Sequence, residues 1–100
     1  MSECFILDGH TAVPADFETW ARWFEKADQH VAQTDIAHVK VSTVFMGMNY
    51  ALDPGPRQLF ETMIFGGPKD GYQERCETWE QAEKMHACAV ALAESAFEEH

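Results

Sequence analysis

Positive charge is what this chain lacks most. Seven Lys and Arg stand against 17 Asp and Glu, a formal net charge of −10 over 100 residues. Such a field repels nucleic acid and anionic membranes and favours a partner with a basic groove. Cysteine is scarce as well. Cys4, Cys76 and Cys88 are an odd number in no recognisable spacing, which fits reduced thiols in a cytoplasm better than a disulfide framework. No window approaches the roughly 20 apolar residues of a membrane span. The start, Met-Ser-Glu-Cys-Phe-Ile-Leu, lacks the basic region of a secretory leader. Linkers, repeats and low-complexity tracts are also missing, so one domain over residues 1–100 is expected.

Catalytic and metal motifs are equally sparse. The five histidines, His10, His30, His38, His86 and His100, form no HxxxH or HxH element, and the cysteines form no CxxC. His86 and Cys88, two apart on a helix, point to different faces. Only three serines occur, none in a G-x-S-x-G elbow. Gly66-Gly67 lacks the lysine of a phosphate-binding loop. No metal, no cofactor and no enzymatic activity are expected.

What the chain does have is 46% hydrophobic residues in patterns that alternate between strand and helix periods. Glu3–Leu7 reads as a first strand closed by the Asp8-Gly9 turn signal. A helix follows from Pro14 or Ala15 to about Asp28, opened by Pro14 or Asp16, with Phe17, Trp20, Ala21, Phe24 and Ala27 as its apolar stripe. Ile36–Met48 and Gln58–Phe65 alternate as an antiparallel pair around a loop over Ala51–Arg57 containing Asp53-Pro54-Gly55-Pro56. The sheet has three strands, or four if Val31–Ile36 adds one, and Tyr72–Cys76 reads as a brief returning edge. Trp20, Phe24, Phe60 and Phe65 are expected in the core, while Trp23 and Trp79 are the aromatics to check for exposure. The fold class is α+β: a small antiparallel sheet packed by two helices, in the order β-α-β-β-(β)-α.

The last helix is the clearest element. Thr78 caps it, with Gln81 completing a capping box. Ala82, Met85, Ala89, Leu92, Ala93 and Ala96 share one side of a 3.6-residue wheel, within about 100°. Glu77, Glu80, Glu83, Glu94 and Glu98 share the other. Residues 70–100 hold eight acids and two bases, a net of −6, so the acidity concentrates toward the C-terminal end. A solvated helix face that keeps a small protein soluble is the ordinary explanation. The functional alternative is that these carboxylates compete for lysines and arginines that otherwise hold phosphates. On that reading Asp70, Glu74, Glu77, Glu80, Glu83, Glu94 and Glu98 form the partner-binding surface. The apolar character of both strand faces favours a different reading, a structural protein that self-associates.

The block Val41-Ser-Thr-Val-Phe-Met-Gly-Met48 is followed by Leu59-Phe-Glu-Thr-Met-Ile-Phe-Gly-Gly67 and by Glu74-Arg-Cys-Glu-Thr-Trp-Glu-Gln-Ala-Glu83 with His86. Together they resemble a widespread family of small phage and prophage proteins, over roughly residues 39–88. Met48-Asn49-Tyr50 stands where a Leu-Asp-His run is common in that family, and Arg57 where a second proline often follows Pro56. These departures remove the only local Asp–His pair that would suggest a metal or acid–base role. Some members of this group of small acidic phage proteins are similar to anti-CRISPR proteins that act on type I surveillance complexes, type I-F foremost. The resemblance implies a phage-encoded inhibitor in the host bacterial cytoplasm. Its expected partner is a protein–RNA complex with a basic DNA-binding surface, with no direct contact to nucleic acid or membrane and no catalytic residue.

Overall fold

The computed structural model describes residues 3–49 and 55–98, for 97–98 the backbone only. The elements run β1 (Cys4–Asp8), β2 (Thr11–Ala15), α1 (Phe17–Lys26), β3 (His30–Ile36), β4 (Val39–Phe45), β5 (Phe60–Phe65), β6 (Gln73–Cys76) and α2 (Trp79–Glu98). The fold is α+β, with a two-stranded sheet β1-β2 and a four-stranded antiparallel sheet in the order β3-β4-β5-β6. The extra strand near residues 31–36 and the edge near residues 72–76 match the sequence reading, and two other details do not. The first strand, expected in the same sheet, belongs to a separate hairpin.

The first difference is the β1–β2 hairpin. Thr11–Ala15 pairs back on β1, with Asp8 opposite Thr11 and Phe5 opposite Pro14. Gly9 (φ +62°) occupies the first of two turn positions, where a type II′ hairpin turn needs positive φ. Pro14 therefore sits in an edge strand, where its missing N–H breaks no ladder. The helix starts later than Pro14 suggests, at Phe17. Asp16 caps it by accepting the Thr19 N–H at 2.7 Å, a contact that holds its carboxyl below the ordinary carboxylate range.

The second difference is a reversal inside the run from Ile36. Ile36 ends β3 and faces Val39 across an Ala37-His38 turn. Ala37 adopts φ +53°, a conformation with a steric cost for any residue bearing a Cβ. No glycine, asparagine or proline marks that turn, so the sequence reads through it. Ala51–Pro54 of the expected connecting loop lie outside the described residues.

The hairpin joins the main sheet where β4 leaves it. The Phe5 N–H donates to the Gly47 carbonyl at 2.8 Å, and the Asn49 N–H to the Glu3 carbonyl at 3.0 Å. The Asn49 side chain completes the join. Its Oδ1 accepts the Gln58 N–H at 3.1 Å and its Nδ2 donates to Glu3 at 3.0 Å. Gly47 (φ +75°) lets the rings of Trp20 and Phe24 lie against bare backbone, since a Cβ there would collide with both. Helix α1 thus sits at the end of the sheet. None of its residues is fully buried, and its rings reach the core through Trp23, which meets Phe45 edge-on at 5.7 Å.

Helix α2 covers one face of the four-stranded sheet. Ala82, Met85, Ala89, Ala93 and Ala96 are buried there, as the wheel predicts, and Leu92 is half-buried. The strand pairs beneath it form three tiers: Phe45 opposite Phe60, Thr43 opposite Thr62, and Val41 opposite Ile64. The outer tiers are apolar, one packed with Phe5, Leu59 and Ala82 and the other with Val39, Ala89 and Ala93. Between them lies a polar tier closed by His86, which is 7% exposed. Its Nδ1 lies 2.7 Å from Thr43 Oγ1 and its Nε2 2.9 Å from Thr34 Oγ1, while Thr43 and Thr62 hydroxyls meet at 2.5 Å.

The other face carries Gln33, Asp35, Lys40, Ser42, Val44, Glu61, Met63, Phe65, Gln73 and Arg75 by register, and α2 does not reach it. Phe65, expected in the core, is 41% exposed there because strand alternation turns it away from Ile64, with Lys40 Nζ 5.2 Å from its ring centroid.

Burial pushes the His86 ring below its ordinary pKa of 6.5. The unfolded chain therefore takes up that proton first, and this contribution to stability is complete above pH 6.5 and declines as pH falls below it. Urea denaturation between pH 8 and 5.5 is expected to show that loss. A His86→Gln variant, less stable at pH 8, is expected to lose the pH-dependent component.

Candidate partner-binding surface

A reciprocal cap fixes the start of α2. The Gln81 N–H donates to Thr78 Oγ1 at 3.2 Å, and Gln81 Oε1 accepts the Thr78 N–H at 3.2 Å and the Glu77 N–H at 3.1 Å. With Ala82 and His86 pinned to the sheet, Glu80, Glu83 and Glu94 necessarily face solvent, and all three are exposed. Ala87 and Ala91, also exposed, fall between Glu83 and Glu94 on that side. The acids therefore stand in two groups about 16 Å apart along the axis rather than in one row. Glu98 is the last residue of α2, and its side chain lies outside the described residues.

The remaining acids of the expected surface sit differently. Asp70 belongs to the β5–β6 turn, where its Oδ1 accepts the Gly66 N–H at 2.7 Å and so holds the loop together. Glu74, on edge strand β6, accepts the Tyr72 hydroxyl at 2.8 Å, which raises the phenol pKa. Glu77 is half-buried just before the helix.

The arginines fall on other acids, although Asp8, Asp16, Glu25 and Asp35 elsewhere also form no salt bridge among the described residues. Arg22 binds Glu18 at 2.6 Å, Arg57 binds Glu3 at 3.4 Å, and Arg75 binds Glu61 at 3.0 Å. Among the described residues, none of Asp70, Glu74, Glu77, Glu80, Glu83 and Glu94 forms a salt bridge, although Lys84 lies one turn beyond Glu80. The last turn of α2 carries no base and ends on Glu98, an arrangement that opposes the helix dipole.

At the head of this face a recess of about 240 Å³ opens between the hairpin turn, the entry to β5 and the first turn of α2. Phe5, Leu59 and Phe60 form its buried apolar part, and Glu77, Glu80 and Arg57 line it. Trp79, half-buried, stands edge-on to Phe60, and the His10 ring stacks on it at 3.8 Å with 6° between planes. Trp23 and Trp79 are thus both packed rather than free. The sequence reading placed neither His10 nor Thr11 at the surface of interest. The Asp8-Gly9 turn was the available signal, but the returning strand that carries it to α2 was hidden by Pro14.

Among the described residues no cluster of three His, Cys, Asp or Glu side chains could hold a metal ion. Both ring nitrogens of His86 are engaged by threonine hydroxyls rather than by a thiol. No described helix is long and apolar enough to cross a membrane. No protein-family model matches the chain, and no curated protein or solved structure matches it either.

The three thiols are free and differ sharply in environment. Burial pushes Cys76 up to about 11, which leaves about one thiol in a thousand ionised at pH 8. Cys4 is buried and Cys88 exposed. A disulfide reagent at pH 8 is expected to modify one thiol rapidly, identified as Cys88 by peptide mass analysis. A fast phase that survives Cys88→Ser would contradict these placements.

Proposed function

We propose that this chain is a non-enzymatic inhibitor that docks the acidic side of α2 on a basic, DNA-holding surface of a host nucleic-acid-binding complex. The observation that carries the reading is the set of exposed carboxylates, Glu80, Glu83 and Glu94, that no base of the chain neutralises among the described residues. Glu80 in the first turn suits the helix dipole and stands one turn before Lys84. Glu94 has neither advantage, and Glu98 at the helix C-terminus opposes the dipole. Folding stability therefore accounts for only part of this set, and like-charge repulsion remains. A partner rich in Lys and Arg would relieve that repulsion on binding and would be drawn in by it at low salt.

The phage-family resemblance supplies the target: a type I CRISPR surveillance complex, type I-F first, in the bacterial cytoplasm. The inhibitor would occupy the lysines and arginines that hold target DNA, touching neither nucleic acid nor membrane itself. Asp70 and Glu74, which hold turn and tyrosine, would contribute field rather than direct contacts. Purified type I-F complex is expected to lose target-DNA binding when the chain is added, and the block is expected to weaken as salt rises. The variant Glu80→Lys/Glu83→Lys/Glu94→Lys is expected to lose at least about tenfold in potency. Undiminished block by that variant would remove the acidic face from the mechanism.

Self-association is the second reading, favoured by Val44, Met63 and the exposed Phe65 on the uncovered sheet face. It predicts a dimer at micromolar concentration by sedimentation, dissociated by Met63→Glu. A monomer throughout that range would eliminate it.

A further inference from the structure

We propose that the recess at the head of α2 is the anchor of the acidic face and takes one lysine or arginine side chain of the basic partner. The inference rests on the acidic-face reading of function and adds to it a specific point of engagement. The volume, about 240 Å³, falls below the roughly 300–1,000 Å³ of small-molecule sites, so the recess suits a single long side chain.

Its chemistry is divided as such a side chain is divided. Trp79, held in place by the His10 stack, and Ala12 offer apolar surface to a hydrocarbon stem, above a floor of Phe5, Leu59 and Phe60 that is itself almost wholly buried. Glu77 and Glu80 offer carboxylates to the charged head, and neither has a salt bridge among the described residues. Arg57, the one Lys or Arg of the lining among the described residues, is already engaged, since it contacts the Glu3 carboxylate and lies over the Phe5 ring at 5.2 Å. An anionic ligand would meet two carboxylates there. A purely apolar one would strip water from those carboxylates without pairing them. Buried arginine anchors within a well-packed pocket commonly dominate the energetics of an interface.

The probes are N-acetyl-arginine amide and N-acetyl-lysine amide, titrated into the ¹⁵N-labelled chain and followed by NMR. N-acetyl-norleucine amide and acetate serve as the apolar and anionic controls. The Trp79 indole N–H is a local reporter, buried and without a hydrogen-bond partner among the described residues. Saturable shifts in the millimolar range are expected at that N–H and at the Thr11, Thr78 and Glu80 amides, with the Glu94 amide unmoved. Glu77→Gln/Glu80→Gln is expected to weaken the cationic probes by about tenfold while leaving the rest of the spectrum in place.

Equal shifts at Glu80 and Glu94, an equal response to norleucine or acetate, or an unaltered affinity of the double variant would each overturn the proposal. Inhibition of the surveillance complex separates the two readings. Probe binding without any association to the complex would retain the recess and remove the functional reading. Association that Glu77→Gln/Glu80→Gln leaves untouched, but that charge reversal of Glu83 and Glu94 abolishes, would do the opposite.

Discussion

Everything on the helix side of this protein depends on the hydrogen-bonded tier formed by Thr34, Thr43, Thr62 and His86. An alanine-rich helix lying on a sheet can slide or rotate with little penalty, because small side chains interlock weakly. A buried imidazole that must satisfy both ring nitrogens removes that freedom. Leaving either threonine hydroxyl or either nitrogen unpaired costs about 1–3 kcal/mol, so shifting α2 by one residue is penalised in a way that apolar packing alone would not supply. The tier sets the rotation of α2, and the rotation decides which glutamates see solvent.

Charge is partitioned by the same arrangement. The three arginines pair with acids of α1, β5 and the residue before β1, while Lys26, Lys40, Lys69 and Lys84 form no salt bridge among the described residues. Residues 70–100 carry a net −6 of the chain's −10, so the negative charge is weighted toward the part of the chain that holds α2. One side carries unneutralised carboxylates, and the uncovered sheet face carries Lys40 and Arg75 beside Asp35 and Glu61 and is close to neutral. A directional field orients an encounter as well as accelerating it.

The parts of this fold legible in the sequence are those specified by local chemistry. Thr78 and Gln81 announce the start of α2 three residues apart, and its alanine stripe announces the buried side. The alternation through Val41, Thr43 and Phe45 announces a strand with one covered face. Illegible features are those decided by distant residues. Pro14 and Asp16 are both helix-start signals, and only the pairing of Pro14 with Phe5 shows that the first belongs to a strand. Ala37 turns the chain without turn chemistry because β3 and β4 gain a ladder of pairings by it. His86 reads as one polar residue among alanines until Thr34 and Thr43 are known to lie beneath it. The recess is the extreme case, since His10 and Trp79 come from opposite ends of the chain and no periodicity connects them.

The strand order leaves four edges, of which β1 is met at its start by Gly47 and Asn49, so that β2, β3 and β6 are the more open ones among the described residues. Open edges are templates on which chains stack into fibrils. Each edge here carries an obstacle. Pro14 withholds a donor from β2, β3 carries a register irregularity between His30 and Ala32 and a charge at Asp35 toward its other end, and β6 is only four residues long with Glu74 and Arg75 in it. The uncovered sheet face is thereby presented to solvent without its rims recruiting further strands. Concentrated solutions of this chain are protected against strand-by-strand polymerisation by its outline, independently of its charge.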